Sequence, residues 1–373
     1  MDFNKNQILL EKAKAGDEEA TALLMETNLG LVRSIAYRFK DRGVDYEDLV
    51  QIGCIGMLKA IRSFDMEKST AFSDYATLLV IGEIKRFTRA EKDLLQIKKT
   101  CIDIGLKKEY KFFQISDIHL SYCDENSSEL DKNEHEHFHN QWDTLKVDFA
   151  NQFGEFCDER YDVEPTVLFG ELCNHALEIG ADALILSGDI VDRVTRSNIE
   201  YLKEIFKTIS IPIIYCPGNH EHMDENGNKF DDCDARIKEI LPKAEFDSIE
   251  LDEFKVIAID NGGMDVNEKQ LELLKAELQG DKRILLIQHK PLNLGCFGKE
   301  LLDKIGSYFF MGTEHSSNVT KEFVELINQN SEKFIAVLCG HIHAAKEYEI
   351  ANGLLQISTS SGLIGACREI IIK

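Results

Sequence analysis

The stretch FIAVLCGHIH, residues 334–343, decides the fold. An unbroken apolar run ends in a glycine, and two imidazoles follow, His341 and His343, two positions apart. A short run of this kind reads as a strand buried on both faces. Polar groups gathered just past such a strand lie where an open α/β sheet builds its site. The same grammar recurs upstream in KFFQISDIHL (111–120), DALILSGDIVD (182–192), IPIIYCPGNHE (211–221), FKVIAID (254–260) and RILLIQHKPL (283–292). Helical patterns stand between several of them, such as NIEYLKEIFKTI (198–209) and VTKEFVELINQN (319–330). The alternation predicts α/β layering.

The strand ends carry the chemistry. Asp117 and His119 follow the first run, Asp189 and Asp192 the second, and Asn219, His220 and Glu221 the third; His289 follows RILLIQ. Imidazole and carboxylate together suit Mn, Fe, Zn, Co or Ni, and a bridging carboxylate holds two ions side by side. Side chains two apart in extended backbone point the same way. His341 and His343 are therefore expected to face one cavity, each serving a different ion. Glycines before Asp189, Asn219 and His341 allow tight backbone there. Taken singly, each motif also reads as a turn or a packing feature; all in one order, each after an apolar run, read as a site.

The motifs D-x-H, G-D-x-x-D, G-N-H-E, H and G-H-x-H resemble those of the calcineurin-like metallophosphoesterases, over roughly residues 111–373. The resemblance implies an α-β-β-α sandwich. It also implies Asp117, His119 and His343 on one divalent metal, Asn219, His289 and His341 on the other, and Asp189 bridging. His220 is then the acid that assists the leaving group, with Asp192 orienting it. Arg193 and His222 are candidates for contact with substrate. The implied activity is hydrolysis of a phosphoester.

Residues 7–92 speak a different grammar. LVRSIAYRF (31–39), YEDLVQIGCIGMLKAIRSFD (46–65) and FSDYATLLVIGEIKRFTR (72–89) are apolar at helical spacing. They resemble region 2 of the sigma-70 family, and IGEIKRF is closest to its sporulation and stress branch. The resemblance implies polymerase docking through Asp48, Leu49, Gln51, Gly53, Gly56 and Leu58, the two glycines permitting close approach. It implies DNA-facing roles for Phe72, Tyr75, Lys85, Arg86 and Arg89. Leu78 and Leu79 stand where many members carry paired tryptophans, which weakens base stacking there. No helix-turn-helix segment for upstream promoter reading follows. The head is either a working polymerase-binding module or a kept fold with another partner.

The expected organisation is thus an all-α domain at 1–92, a charged linker at 93–110 and an α/β domain at 111–373. The polar tract CDENSSELDKNEHEHFHNQ (123–141) reads as a surface insertion, with His135, His137 and His139 in a solvated loop. With its flanks, Ser121 to about Glu178, it is expected to shape the pocket mouth.

Charge divides the chain in the same way. The net charge is −23. The first 100 residues hold 16 basic and 16 acidic side chains, leaving 27 and 50 to the rest. So acidic a body disfavours extended polyanions and favours a small phosphomonoester, diester or nucleotide. No apolar stretch is long enough to span a membrane. The ten cysteines, without a C-x-x-C pair, read as reduced thiols of a cytoplasmic protein. The rival reading is a sigma-factor-like transcription regulator whose phosphoesterase portion is a sensor.

Overall fold

The computed structural model describes residues 3–14, 16–40, 45–64, 72–93, 95–153, 163–223, 231–263, 265–295 and 309–373. The chain divides into two compact units, Met1–Leu94 and Leu95–Lys373.

The first unit is helical: α1 Phe3–Lys14, α2 Glu18–Tyr37, α3 Tyr46–Ser63 and α4 Phe72–Asp93. Asp17 and Asp45 cap α2 and α3 by accepting the N–H groups of Ala20 and Glu47. Glu47 and Asp48 in the first turn of α3 and Arg62 in its last suit the helix dipole. Leu24, Val32, Leu49, Met57, Ala60, Val80 and Ile84 form the core.

This packing corrects the expected docking surface. Leu49, Gly53 and Gly56 are buried inside the unit. A methyl added at Gly56 would meet Leu79 O and Val80 Cα at 2.8 Å, and one at Gly53 would meet Val32 Cγ1 at 2.6 Å. The two glycines let α3 approach α4 and α2, so close approach is spent within the unit. Asp48 and Gln51 are exposed, as is Ile55, and Leu58 is half-buried. Phe72 and Tyr75 are half-buried against Phe64, with ring centroids 5.3 and 5.5 Å away. Lys85, Arg86 and Arg89 belong to α4, and their side chains lie outside the described residues.

The second unit is a sandwich of two mixed sheets. One has the order β1 (Gln96–Ile102), β11 (Ala366–Ile372), β2 (Tyr110–Ile115), β3 (Ala183–Leu186), β4 (Ile213–Tyr215). The other has the order β5 (Phe246–Glu250), β6 (Phe254–Ile259), β7 (Arg283–Ile287), β8 (Phe334–Cys339), β10 (Leu354–Ser358), β9 (Lys346–Ala351). The inner faces meet in one cluster that includes Phe112, Ile185 and Ile370 from the first sheet and Phe254, Leu285 and Leu338 from the second. Helices α8 (Glu268–Glu277) and α9 (Asn318–Gln329) cover the outer face of the second sheet through Leu271, Leu274, Phe323 and Ile327. All six apolar runs read from the sequence are strands here.

Two expectations fail. The stretch read as a linker contains β1, which pairs in parallel with β11 from Gln96↔Ala366 to Ile102↔Ile372. Its lysines concealed it: Lys98 and Lys99 are exposed on an edge strand, and Lys99 pairs with Glu369 at 2.6 Å. The tract read as a loop is the start of a helix, α5 Glu129–Phe153, and α6 Pro165–Glu178 follows it. Phe138 is its apolar anchor, buried against Leu363. Asp131 Oδ2 accepts the Ser197 N–H at 3.0 Å at the start of α7 (Arg196–Thr208). His135 Nδ1 meets Ser121 Oγ at 3.3 Å, and His139 faces Glu164 at 3.4 Å.

Cys173, Cys216, Cys339 and Cys367 are buried free thiols; burial pushes Cys173 and Cys367 up to about 12. Among the described residues no helix is long and apolar enough to cross a membrane.

Candidate metal centre

The site lies past the C-terminal ends of five strands drawn from both sheets. β2 delivers Asp117 and His119, β3 Asp189 and Asp192, β4 Asn219 and His220, β7 His289, and β8 His341 and His343. In each sheet the strands bearing these residues run parallel, apart from the crossing between sheets, so their carboxyl ends point the same way.

The side chains gather into three groups that could hold a metal; one of them, His119, Asp192 and His220, shares His119 with the first of the two donor sets expected from the sequence. Asp117, His119 and His343 form one, with His343 Nε2 3.2 Å from Asp117 Oδ1 and 3.3 Å from His119 Nε2. Asp189, His289 and His341 form the other, with His289 Nε2 3.2 Å from Asp189 Oδ2 and 3.1 Å from His341 Nδ1. Asn219 Oδ1 stands 3.3 Å from that same Nε2.

The chemistry of these donors fits a cation. His289 donates its Nδ1–H to Ser187 O at 2.8 Å. In the neutral ring Nε2 then carries a lone pair. It faces a carboxylate oxygen, an amide oxygen and a second imidazole nitrogen. Lone pairs converging in this way are held together by positive charge at their focus. Burial lowers the His289 pKa, but the Asp189 and Asp117 carboxylates raise it to about 9, which expresses the same demand for positive charge. Burial, with His289 and Lys290 nearby, holds His341 well below the usual imidazole range. Burial would raise Asp189, yet His289 and His220 hold it well below the usual carboxylate range.

The backbone is bent to make this possible. Asp117, His119, Asp189, His341 and His343 all have positive φ, at 53°, 46°, 50°, 67° and 51°. Among the described non-glycine residues the other such position is Asn352, in the turn between β9 and β10. L-residues pay about 1–3 kcal/mol for such conformations, which cluster where function requires them. The expectation that His341 and His343 share an extended strand is therefore wrong. The strand ends at Cys339, and two left-handed residues send the imidazoles to different donor sets. Asp117 caps this turn: His341 N–H lies 3.0 and 3.1 Å from its two carboxylate oxygens. A side chain at Gly340 would run into Ser116 Oγ and the Asp117 carboxylate, so only glycine lets this loop pass.

His220 sits beside the two sets. It donates its backbone N–H to Asp189 Oδ1 at 2.8 Å, and its Nδ1 lies 2.9 Å from Asp192 O and 3.2 Å from Asp192 Oδ1. Burial lowers its pKa, but the Asp189 and Asp192 carboxylates raise it to about 9. Asp192 also faces His119 Nδ1 at 3.5 Å, an orientation that leaves His119 Nε2 toward His343. Arg193 is anchored at the rim: Nη1 donates to Asp192 O at 2.6 Å, and Nε lies 3.8 Å from Glu134 on α5. His222 Nε2 lies 3.0 Å from Asp260 Oδ1.

Two organising residues escaped the sequence reading. Glu221, visible in the G-N-H-E motif but given no role, is fully buried. Its carboxylate accepts from Asp189 N (2.9 Å), Gly218 N (2.7 Å), Ile190 N (2.7 Å), Val191 N (3.2 Å) and Tyr215 OH (2.6 Å). It thereby ties the loop after β3 to the loop after β4. Asn261, with no signal in the sequence, accepts the N–H groups of His289 and Lys290 at 2.8 and 3.1 Å and donates to Lys290 O at 2.9 Å.

Comparison with known proteins agrees with this division. A family model described as calcineurin-like phosphoesterase matches residues 110–345, and one described as sigma-70 region 2 matches residues 24–93. The RNA polymerase sigma-F factor of Bacillus subtilis is 40% identical over 99 residues, covering 26% of this chain and 38% of that protein. The RNA polymerase sigma-G factor of Clostridium acetobutylicum is 36% identical over 113 residues, covering 30% and 42%. The chain thus spans about two fifths of the length of these relatives. Among solved structures, a dimetal phosphatase from Danio rerio aligns with a TM-score of 0.43 at 13% identity, over 68% of this chain and 88% of that one.

Proposed function

The chain belongs to the calcineurin-like phosphoesterase family and is a metal-dependent hydrolase, and on that premise we propose that it cleaves a small phosphoester at a dinuclear centre. Asp117, His119 and His343 would hold one divalent transition metal; Asn219, His289 and His341 would hold the other, and Asp189 would bridge. The observation that carries the assignment is the convergence of two imidazole-carboxylate sets with their lone pairs facing inward. Two bound cations would supply Lewis-acid polarisation of the phosphoryl oxygens and make water acidic enough to attack near neutral pH. The protein's own part is positioning and proton supply. Asp192 holds the His220 ring by Nδ1, which turns Nε2 toward the reacting group as a proton donor to the leaving oxygen. Glu221 and Asn261 hold the ligand loops in register.

The acidic composition favours a phosphomonoester, diester or nucleotide over a polymer. The helical unit is proposed to dock on core RNA polymerase through the face that bears Asp48, Gln51 and Ile55, in a cytoplasmic protein. Its match to sigma factors supports this, while its balanced charge supports weak contact with duplex DNA. That same match favours one second reading, a transcription regulator whose phosphoesterase unit senses a ligand. Metal analysis of the purified chain and a hydrolysis screen over mono-, di- and cyclic phosphoesters with Mn²⁺ test the first reading. About two metals per chain and turnover of at least one class are expected. No metal and no turnover with Mn²⁺, Zn²⁺, Fe²⁺, Co²⁺ or Ni²⁺ would refute it. Transcripts started from a promoter by the full chain with core polymerase would favour the second.

A further inference from the structure

Phe309 is one of the few large apolar side chains that the described residues leave exposed, at 36%. It does not stand on a remote surface. Its ring centroid lies 5.1 Å from that of His341, with the planes tilted by 39°. The His341 ring in turn faces His289 in the second donor set. An aromatic face therefore stands at the rim of the proposed metal centre, against one of its proposed ligands.

Its placement is built rather than incidental. Met311 N–H donates to Pro291 O at 2.9 Å, and Asn293 N–H donates to Met311 O at 2.8 Å. These bonds fasten the 309–311 segment to the chain just past His289. Asn261, which fixes the His289 backbone, also reaches Met311 Sδ with Nδ2 at 2.7 Å. Phe310 and Met311 are buried beside it, so the backbone under Phe309 is anchored while its own ring is left at the surface. Burying that ring would have been favourable. Leaving it against a ligand imidazole gives a flat apolar platform next to a phosphoryl-binding site.

We propose that Phe309 stacks the base of a mononucleotide whose phosphoryl group lies at the metal centre. The proposal rests on the phosphoesterase reading and names its substrate class. A nucleobase presents a π-face of matching size, and base–aromatic stacking is tolerant of base identity. A sugar phosphate would use the metals alone and gain nothing from the ring. The strongly acidic composition argues for a single nucleotide rather than a strand.

The test compares adenosine 5′-monophosphate with ribose 5-phosphate, which share the phosphoryl group and sugar and differ by the base. Affinities of the full-length, metal-loaded chain for each are measured by calorimetry, beside KM for each. The wild type should favour the nucleotide on the order of tenfold or more, the scale of one stacked base. Phe309→Ala should remove that preference, and Phe309→Trp should keep it. Equal affinity for both probes in the wild type would overturn the proposal. So would a nucleotide preference unchanged in Phe309→Ala, or a loss equal for both probes, which would mark Phe309 as packing for His341. Failure of the phosphoesterase reading shows separately, as no turnover of any phosphoester in wild type whose metal content is complete.

Discussion

Glu221→Gln is a nearly isosteric change with a large expected cost. The wild-type carboxylate accepts from Ile190 N, Val191 N and Tyr215 OH on one oxygen, and from Asp189 N and Gly218 N on the other. A carboxamide has one accepting oxygen, so its NH₂ must face two backbone N–H groups in either orientation. Each buried donor left unmet costs about 1–3 kcal/mol, giving about 2–6 kcal/mol for the pair. Domains of ordinary size hold about 5–15 kcal/mol in total, so the change should lower the urea midpoint strongly. Circular dichroism of a fragment that begins at Leu95 follows the unfolding of the phosphoesterase unit alone. Metal content should fall as well, because the two loops that Glu221 joins carry Asp189 and Asn219. A variant within about 0.5 kcal/mol of wild type, the range of neutral surface changes, with its metals complete, would refute the account of Glu221 as the tie between the loops.

Asp189→Asn should lose most bound metal and turnover together, whereas His220→Ala should keep its metals and lose about 10²–10⁴-fold in turnover; metal analysis and initial rates decide, and loss of metal from His220→Ala would make it a ligand. A fragment that begins at Leu95 should be soluble and active, while one that begins at Lys107 lacks β1 and should unfold at a lower temperature in calorimetry. Arg368→Leu should destabilise the unit by about 3 kcal/mol, because buried Arg368 binds Thr100, Glu347 and Ser358 O across the two sheets. That deficit depends on pH in a fixed direction. Burial raises the Glu347 pKa, but the Thr100 hydroxyl and Arg368 bring it below its usual value. The wild-type advantage is therefore full above the ordinary carboxylate range, and it should shrink as pH falls through the lowered value.

Six strands and the side chains that gather past them were legible because each strand is a largely apolar run with its functional groups crowded at one end. Strands that carry two or more charged residues were not. β11 hides Arg368 and Glu369, which are buried with Glu347 and Lys99 among the groups that answer their charge. β1 shows its lysines to solvent. Helix α5 was lost for a similar reason, since its one described buried apolar anchor, Phe138, lies among histidines and acids. The left-handed turns under His341 and His343 have only a weak signature in residue type, for histidine is enriched at positive φ yet seldom adopts it. In the helical unit the apolar spacing was readable. Whether Gly53 and Gly56 face outward or inward was not, because one helix pattern fits both until its neighbours are placed.

The pairing of β1 with β11 has a consequence for the order in which the chain matures. Thr100 and Arg368 meet across 268 residues of sequence, and β1 has no neighbour in the first sheet until β11 is made. Ribosomal synthesis delivers the head first, and Met1–Leu94 is a compact unit by itself. The head is therefore free to fold while most of the second unit is still unmade. β1 must wait, exposed and lysine-bearing, until residues 366–372 emerge. Its charge, which disguised it as a linker, keeps the waiting strand from pairing with a neighbouring nascent chain.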